Sequence, residues 1–211
     1  MKVAFYSNKG SVREHNEDAL SLADNIISGC SMKFSIELEN ENADNCFVVI
    51  DGMGGYDGGE KAARIVATSF IENFNAWNIS TSEVKEKINA ILNNVVKRIV
   101  NTVNDNSRLS AMGAALTGIT FCTDGILIFN CGDGRVYRQQ GQYLEKLSHD
   151  HSIVQELFDK GEIEEDAMRI HAKKNTITAC VSAEASYLNI YFREIPKKGN
   201  ERSLVCSDGV W

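Results

Sequence analysis

Hydrophobic and polar positions along the 211-residue chain predict strands first, then two helices, then a second group of strands. Residues 1–27 contain two apolar stretches that predict strands, the second being ALSLADNII, and the continuous apolar run at 46–50 indicates a buried strand. Helical spacing of apolar residues follows over about 60–74, and a second helix begins at a capping box formed by Ser80 and Glu83. This order is not the alternation of strand and helix that builds a parallel α/β fold.

Strands dominate the part of the chain that follows the two helices. Four short apolar runs between 116 and 147 predict a β-meander, in which the Asp-Gly pair at Asp124 is a typical hairpin signal. A polar, helix-leaning stretch at 148–175 separates this meander from three further predicted strands, TITACV, LNIYFREI and SLVCS. We therefore expect an α+β fold in which antiparallel sheets pack on each other and helices cover an outer face.

Composition and charge narrow the class of protein. A hydrophobic fraction of 43% is ordinary for a globular chain, and no run of about 18 apolar residues is present, so we expect no membrane partner. The formal net charge of −7 comes without a basic stripe, which argues against nucleic-acid binding. The first residues lack the apolar core of a signal peptide, so the expected location is the cytoplasm. The six cysteines include no C-x-x-C pair, which favours small buried hydrophobes in a reducing compartment.

Three aspartates stand at the carboxyl ends of apolar runs. Asp51 follows FVVI, Asp133 follows ILIFNCG, and Asp208 follows SLVCS. Asp124 differs, because it lies between two paired runs and fits an ordinary turn. A carboxylate held at the edge of an apolar core is unfavourable unless another group neutralises its charge. The three strand-end aspartates therefore require a partner.

Two interpretations of these aspartates stay open. Several carboxylates that converge on one point repel each other unless a cation lies between them. Hard divalent cations prefer carboxylate, carbonyl and water oxygens, and a glycine after each aspartate lets a backbone carbonyl turn towards an ion. A set of turns stabilised by hydrogen bonds explains the same pattern equally well.

The stretch REHNED adds a second cluster of charged residues. Glu17 and Asp18 are two acids within reach of metal ions, and the guanidinium of Arg13 is a planar fork suited to a phosphate group. A charged loop exposed to solvent is the alternative interpretation of this stretch. In combination with the strand-end aspartates, the stretch favours a site for metals and phosphate.

With these residues in view, the chain resembles a bacterial metal-dependent Ser/Thr protein phosphatase of the type 2C (PPM) family. Six stretches match family motifs in the family order and cover nearly the whole length. They are GSVREHNEDAL, VVIDGMGGYDGGEKAA, AMGAAL, CGDGRVYR, LSHDHS and LVCSDGVW. Each motif is weak alone, whereas six in register are a strong indication.

The resemblance implies both a fold and a set of site residues. The family fold is a single domain, here 1–211, built as a central β-sandwich of two mainly antiparallel sheets flanked by helix pairs in α-β-β-α layers. It holds two Mn²⁺ or Mg²⁺ ions, and bacterial members hold a third. Arg13 would bind the substrate phosphate, and Asp51 would bridge the two ions. The implied metal ligands are Glu17, Asp18, Asp51, the carbonyl of Gly52, Asp133 and Asp208.

The resemblance also implies a reaction. Hydroxide bridging the ions would attack the phosphorus of phosphoserine or phosphothreonine in a protein, with Arg13 and Asp51 as the catalytic residues. The implied partners are phosphoproteins and a cognate Ser/Thr kinase. A cysteine-dependent phosphatase is set aside, because Cys131 is followed by Tyr137 where its Cys-x₅-Arg loop needs arginine.

The stretch 148–175 matches the mobile flap of the family, so we expect a flap-like subdomain there. His149 and His151 fall at its start. Their spacing allows a metal pair, but the lack of another ligand nearby favours capping or hydrogen bonding.

Three features depart from the family pattern. Ala114 and Ala115 replace two threonines, and Gly134 replaces a serine. The third departure is the end at Trp211, because family members continue to a final strand that carries another metal-binding aspartate. We therefore expect a C-terminally truncated chain, with final elements missing and weak or no activity. The alternative functions are a catalytically impaired pseudophosphatase that binds phosphoproteins or acts as a regulatory module, and a metal-binding sandwich with unrelated chemistry.

Overall fold

The computed structural model describes residues 1–11, 13–22, 25–37, 46–55, 57–74, 79–185, 187–199 and 201–211, with only the backbone described for 35–37. These ranges contain twelve strands, four α-helices and two short 3₁₀ helices. The strands are β1 (Lys2–Ser7), β2 (Asp18–Leu22), β3 (Asn25–Ser28), β4 (Met32–Glu37), β5 (Cys46–Met53), β6 (Gly113–Phe121), β7 (Ile126–Cys131), β8 (Arg135–Gln140), β9 (Tyr143–Lys146), β10 (Val181–Ser182), β11 (Tyr191–Ile195) and β12 (Ser203–Cys206). The helices are α1 (Gly58–Asn73), α2 (Thr81–Asp105), α3 (Ile153–Asp159) and α4 (Glu165–Met168), with 3₁₀ turns at Ser107–Leu109 and Asp208–Val210.

A seven-stranded antiparallel sheet forms the centre of the fold. Its order is β11-β7-β6-β5-β2-β3, and β10 pairs with β6 beside β7. The strands at its middle, β5, β6 and β7, are almost entirely buried, which agrees with their continuous apolar sequences. Asp51 near the end of β5 and Asp133 just after β7 therefore lie at one rim of the sheet.

Two smaller antiparallel sheets cover one face of the central sheet. One pairs β1 with β4, and the other has the order β12-β8-β9. Apolar side chains of the central sheet and of the smaller sheets share one buried layer between them, which is the core of a sandwich. Its larger members are Leu20, Phe47, Ile119, Ile128, Val136, Leu147 and Ile195.

The two long helices pack on the opposite face of the central sheet. The ring of Phe70 in α1 stacks on the ring of Phe129 in β7, with centroids 5.8 Å apart. The predicted capping box at the start of α2 is present, since Ser80 and Glu83 bond each other's backbone N–H groups. Apolar burial on this face therefore ties α1 and α2 to the strands that carry the candidate site.

The predicted class, an antiparallel sandwich with helices on an outer face, is confirmed. Three strand predictions were wrong in detail. The predicted β-meander is divided between two sheets, since β6 and β7 belong to the central sheet and β8 and β9 to a smaller one. ALSLADNII forms a hairpin of β2 and β3 instead of one strand, with Leu22 opposite Asn25. In TITACV only the final residue belongs to a strand, β10. The Asn-rich segment 38–45 lies outside the described residues.

Two further predictions concern single residue types. Asp124 lies in the β6–β7 turn as expected, and its carboxylate also accepts a hydrogen bond from the backbone of Thr81 at the start of α2. All six cysteines are free thiols, and four of them are buried. Among the helices described above, none combines the length and apolar content needed to cross a bilayer.

Candidate active site

Asp18 and Asp51 form the centre of the candidate site. Asp18 is the first residue of β2, and Asp51 lies near the end of β5, directly opposite it in the antiparallel pairing. Both side chains are half-buried. Residues directly opposite on antiparallel strands have their Cβ atoms about 5 Å apart, so the two carboxyl groups are close neighbours.

Asp133 and Asp208 approach the same place from the small sheet. Asp133 lies in the turn between β7 and β8 and is buried, whereas Asp208 follows β12 and is exposed. The pairing of β12 with β8 sets Cys206 opposite Arg135, which brings the two aspartate-bearing segments side by side. The end of the sandwich thus collects carboxylates from four separate segments of chain.

The electrostatics of Asp51 show how closely these groups meet. Its pKa is raised from 3.8 to about 8, and burial is the largest cause. The negative charges of Asp18, Asp208 and Asp133 raise the pKa further, as does a hydrogen bond with Asp208. The pKa of Asp133 is raised to about 6, again by burial first and by Asp208 second. Mutual repulsion on this scale fits a site completed by positive charge.

Glu17 lies beside this group but faces a different partner. Its carboxylate Oε2 accepts a hydrogen bond from Nη1 of Arg13 at 2.5 Å. The Arg13 side chain is 71% exposed, so its guanidinium is accessible to a ligand in solvent. The structure therefore brings Asp18, Asp51, Asp133 and Asp208 together, and it holds Glu17 at the edge in an ion pair.

Close packing of backbone explains the glycines that follow Asp51. A Cβ on Gly52 would lie 2.1 Å from the carbonyl oxygen of Gly59 and 2.7 Å from that of Glu17. A Cβ on Gly59 would lie 2.7 Å from Oε1 of Glu17. Glycine is thus required for α1 to begin against the end of β5 and the Glu17 carboxylate. A helix N-terminus next to a carboxylate is also favourable electrostatically.

Two polar side chains that sequence reasoning did not single out hold this end of the site. Ser207 Oγ donates to Oδ2 of Asp18 at 2.9 Å. Asn16 is buried, and its Nδ2 donates to Ser7 Oγ at 2.8 Å and to the carbonyl of Cys30 at 2.9 Å. Both residues lie inside the quoted motifs and directly precede an acidic residue in the sequence, which is the signal that could have identified them.

A buried ion pair supports the other end. Asp150 is almost fully buried, and its Oδ2 accepts from Nε and Nη2 of Arg135 at 2.8 and 2.5 Å. Lys146 Nζ lies 3.4 Å from Oδ1 of Asp150. The guanidinium of Arg135 also stacks 3.2 Å from the ring centroid of Trp211, just after Asp208.

The histidine pair makes hydrogen bonds, as the favoured interpretation expected. His149 Nε2 lies 2.9 Å from Oδ2 of Asp159. His151 Nδ1 accepts from the backbone N–H of Gly132 at 3.1 Å. Burial lowers the pKa of His151, which keeps this ring neutral and able to accept.

The acidic side chains of the site meet some of the requirements of a divalent cation. Within the described ranges, no three His, Cys, Asp or Glu side chains already converge closely enough to hold one ion together. The carboxylates nevertheless are oxygen donors of the kind that Mn²⁺ and Mg²⁺ prefer, and their pKa values are raised by burial first and by mutual repulsion second, both of which a bound ion would offset. The residues present therefore fit divalent cations by their chemistry.

Comparison with known proteins assigns the chain to a family. The family described as Protein phosphatase 2C matches residues 34–211, and the chain belongs to it. The resemblance stated from the motifs and the enzyme class, protein phosphatase, are both confirmed by this match.

Individual relatives agree with the assignment. The chain is 29% identical over 216 residues to the serine/threonine phosphatase Stp of Listeria monocytogenes, covering 100% of this chain and 78% of that protein. The structure of the serine/threonine phosphatase of S. agalactiae superposes with a TM-score of 0.81 at 20% identity, covering 99% of this chain and 79% of that one. The structure of PstP/Ppp from Mycobacterium tuberculosis gives 0.76 at 24% identity, covering 99% and 78%. At these identities the two structures support the fold alone.

Proposed function

We propose that this chain hydrolyses phosphoserine and phosphothreonine in proteins, using divalent cations held by its carboxylate cluster. The relatives named above are serine/threonine phosphatases, which supports the choice of substrate. One related structure is described as the PstP catalytic domain in complex with two manganese ions, which supports Mn²⁺ as one of the metals. Mg²⁺, a third ion, a cognate kinase and a cytoplasmic location stay predictions.

The single observation that carries this proposal is the environment of Asp51. Its carboxyl group is half-buried, and its pKa is raised to about 8, first by burial and then by the negative charges of three other aspartates. A half-buried carboxyl group among three other carboxylates is unfavourable in a purely structural role, because hydrogen-bonded turns would form without it. A cation bound among these carboxylates attracts each of them and relieves their mutual repulsion, which favours its binding.

The roles of the residues follow from their positions. The proposed ligands are Glu17, Asp18, Asp51, the carbonyl of Gly52, Asp133 and Asp208. Bound divalent ions would supply the charge that activates water and stabilises a phosphoryl group during transfer.

The side chains around the ligands orient the reactants. The exposed guanidinium of Arg13 offers parallel N–H donors to the substrate phosphate and holds its orientation. Ser207 donates to Oδ2 of Asp18 and thereby holds the orientation of this carboxylate. Arg135 fixes the backbone beside Asp133 through its ion pair with Asp150.

A second candidate function has one observation in its favour. Arg13 and Glu17 are paired with each other, so both must separate before one can bind phosphate and the other a metal. A chain in which this pair persisted would bind phosphoproteins without turnover, as the pseudophosphatase alternative states. The pair is mostly exposed on the arginine side, and exposed ion pairs contribute about 0–1 kcal/mol, so competing ligands can displace it.

The test is hydrolysis of a phosphothreonine peptide with increasing Mn²⁺ concentration. The wild-type chain is expected to release phosphate in a metal-dependent manner, and Asp51→Asn is expected to abolish release. Asp105→Asn is the matched control, because it makes the same chemical change on an exposed residue at the end of α2. It should leave the rate unchanged.

Binding of the same peptide is measured alongside hydrolysis. Phosphopeptide binding without phosphate release at any Mn²⁺ concentration would favour the pseudophosphatase. If the chain neither binds the phosphopeptide nor releases phosphate, both proposed functions are overturned.

A further inference from the structure

Gly132 is the residue directly before Asp133. Both its N–H and its carbonyl form hydrogen bonds with His151. The backbone N–H of His151 donates to the carbonyl of Gly132 at 2.7 Å. The N–H of Gly132 in turn donates to the ring Nδ1 of His151 at 3.1 Å. Two reciprocal bonds between one glycine and one histidine define the position of this turn.

Asn130 adds a third hydrogen bond to Gly132, which is the second one to its carbonyl. Its side chain is fully buried, and Nδ2 donates to the carbonyl of Gly132 at 2.9 Å and to that of His149 at 2.8 Å. Its Oδ1 has no hydrogen-bond partner among the described residues. Burying an oxygen without a hydrogen-bond partner destabilises the folded state by about 1–3 kcal/mol. The two hydrogen bonds that Nδ2 donates offset this penalty.

The backbone of Gly132 needs this support because its conformation is unusual. Its φ is +130°, a region that other residues rarely adopt, and a Cβ would lie only 2.3 Å from the Cβ of Ala115. Glycine permits this geometry but does not favour it over others, since it is the residue with the most backbone freedom. Hydrogen bonds from outside the turn are what select one conformation.

We propose that His151 and Asn130 are positioning residues that fix Gly132, and through it the direction of the Asp133 carboxylate, for cation binding. This inference rests on the proposed metal site. His151 acts as an acceptor at Nδ1, so its ring carries the proton on Nε2. Outer-shell hydrogen bonds of this kind typically change metal affinity by about 10- to 100-fold when they are removed.

The bonds also join two parts of the chain. His149 and His151 begin the 148–175 segment, and His149 in turn contacts Asp159 in α3. Asn130 lies on β7 of the central sheet. The Asp133 turn is therefore anchored to the sheet and to the start of the proposed flap at once, and its position depends on both.

The experiment compares two substitutions of His151 by calorimetric titration with Mn²⁺ and by metal-dependent phosphatase assay. His151→Asn keeps an acceptor near the position of Nδ1, whereas His151→Leu has none. We expect His151→Leu to weaken the binding of at least one Mn²⁺ by about tenfold or more and to raise the Mn²⁺ concentration for half-maximal rate equally. His151→Asn should stay within about threefold of wild type.

His171→Leu is the matched control. The ring Nδ1 of His171 also accepts a backbone N–H, that of Lys173, at 3.1 Å, but in an exposed turn. His171→Leu should leave Mn²⁺ affinity unchanged. This control shows whether losing any hydrogen bond from a backbone N–H to a histidine ring lowers the affinity, or only the one beside Asp133. Should His151→Leu fail to fold, Asn130→Ser takes its place, because it removes both amide bonds with a small change in shape.

The outcomes separate the two proposals. Unchanged Mn²⁺ affinity in a folded His151→Leu or Asn130→Ser protein, even with a lower melting temperature, would overturn the positioning role alone. Equal weakening in His151→Asn and His151→Leu would do the same, because the acceptor would not be the cause. If wild type itself binds no Mn²⁺, the proposed function fails and this inference fails with it.

Discussion

Asp18 and Asp51 lie directly opposite each other on adjacent antiparallel strands, β2 and β5. Like charges in this arrangement are destabilising, and here a hydrogen bond from Ser207 and the charge of Arg13 lower the pKa of Asp18. Burial and the charge of Asp208 act in the opposite direction and leave the pKa of Asp18 raised. The sheet register itself therefore builds a repulsive pair at the end of the sandwich.

The first prediction concerns the pH dependence of stability without metal. The folded-state pKa of Asp51 is raised from 3.8 to about 8, so the folded protein favours its protonated form. The resulting stabilisation is fully present below pH 3.8 and is lost as pH rises through about 8. We expect the melting temperature of the metal-free chain to fall over this window.

Two comparisons test the assignment to Asp51. Saturating Mn²⁺ should remove the fall at the alkaline end of the window, since the ion stabilises the charged form. Asp51→Asn should flatten the metal-free profile, whereas Asp105→Asn should not. An equally steep profile in Asp51→Asn would assign the pH dependence to other groups.

The second prediction concerns the close contact between β5 and α1. Gly52→Ala places a Cβ 2.1 Å from the carbonyl oxygen of Gly59, which is backbone and cannot move aside alone. We expect a loss of about 3 kcal/mol or more in the free energy of unfolding, together with loss of Mn²⁺ binding. Gly199→Ala, where a Cβ meets nothing within 4 Å, should change the unfolding midpoint in urea very little. A fully stable Gly52→Ala protein would show that this contact is looser than described.

The third prediction concerns the ion pair beneath the Asp133 turn. Arg135→Ala leaves Asp150 buried with Lys146 as its nearest remaining cation, so we expect a loss of about 3 kcal/mol. Urea unfolding measures this, and the double variant Arg135→Ala with Asp150→Ala should recover part of the loss.

Lys61→Ala is the comparison for that series. Lys61 pairs with Asp57 at 3.9 Å, and both side chains are largely exposed, so its removal should cost less than about 1 kcal/mol. Similar losses in Arg135→Ala and Lys61→Ala would contradict the importance given to burial of the Asp150 pair.

The fourth prediction concerns Ser207. Ser207→Ala removes the donor to Asp18 Oδ2 and leaves that oxygen free to turn. We expect Mn²⁺ affinity to fall by about tenfold, with only about 1 kcal/mol lost in stability. Ser207→Thr keeps a hydroxyl and should retain most of the affinity. Identical Mn²⁺ titrations for wild type and Ser207→Ala would remove any orienting role for this hydroxyl.

The candidate site was predictable from sequence where it depends on the length of apolar runs. Apolar runs give way to polar residues near the ends of buried strands, so Asp51, Asp133 and Asp208 could be placed near strand ends from the sequence, although β5 continues two residues beyond Asp51. The capping box at Ser80 was also predictable, because its signal depends on two residues that are close in the sequence.

Features that depend on contacts between distant segments were not predictable. The bond from Ser207 to Asp18 joins residues 189 positions apart. The bonds between His151 and Gly132, which are 19 positions apart, likewise require the tertiary register. The split of ALSLADNII into β2 and β3 was missed because its apolar pattern continues through the polar pair Asp24-Asn25, which was treated as part of one strand.

The measurement that tests the central claim most directly is anomalous diffraction from crystals of the chain grown with Mn²⁺. We predict Mn²⁺ peaks about 2.0–2.4 Å from carboxylate oxygens of Asp51, with Asp18, Asp133 or Asp208 oxygens sharing the same ions. Absence of any Mn²⁺ peak near Asp51 at a concentration that supports phosphate release would contradict the account, because turnover would then not depend on this carboxylate cluster.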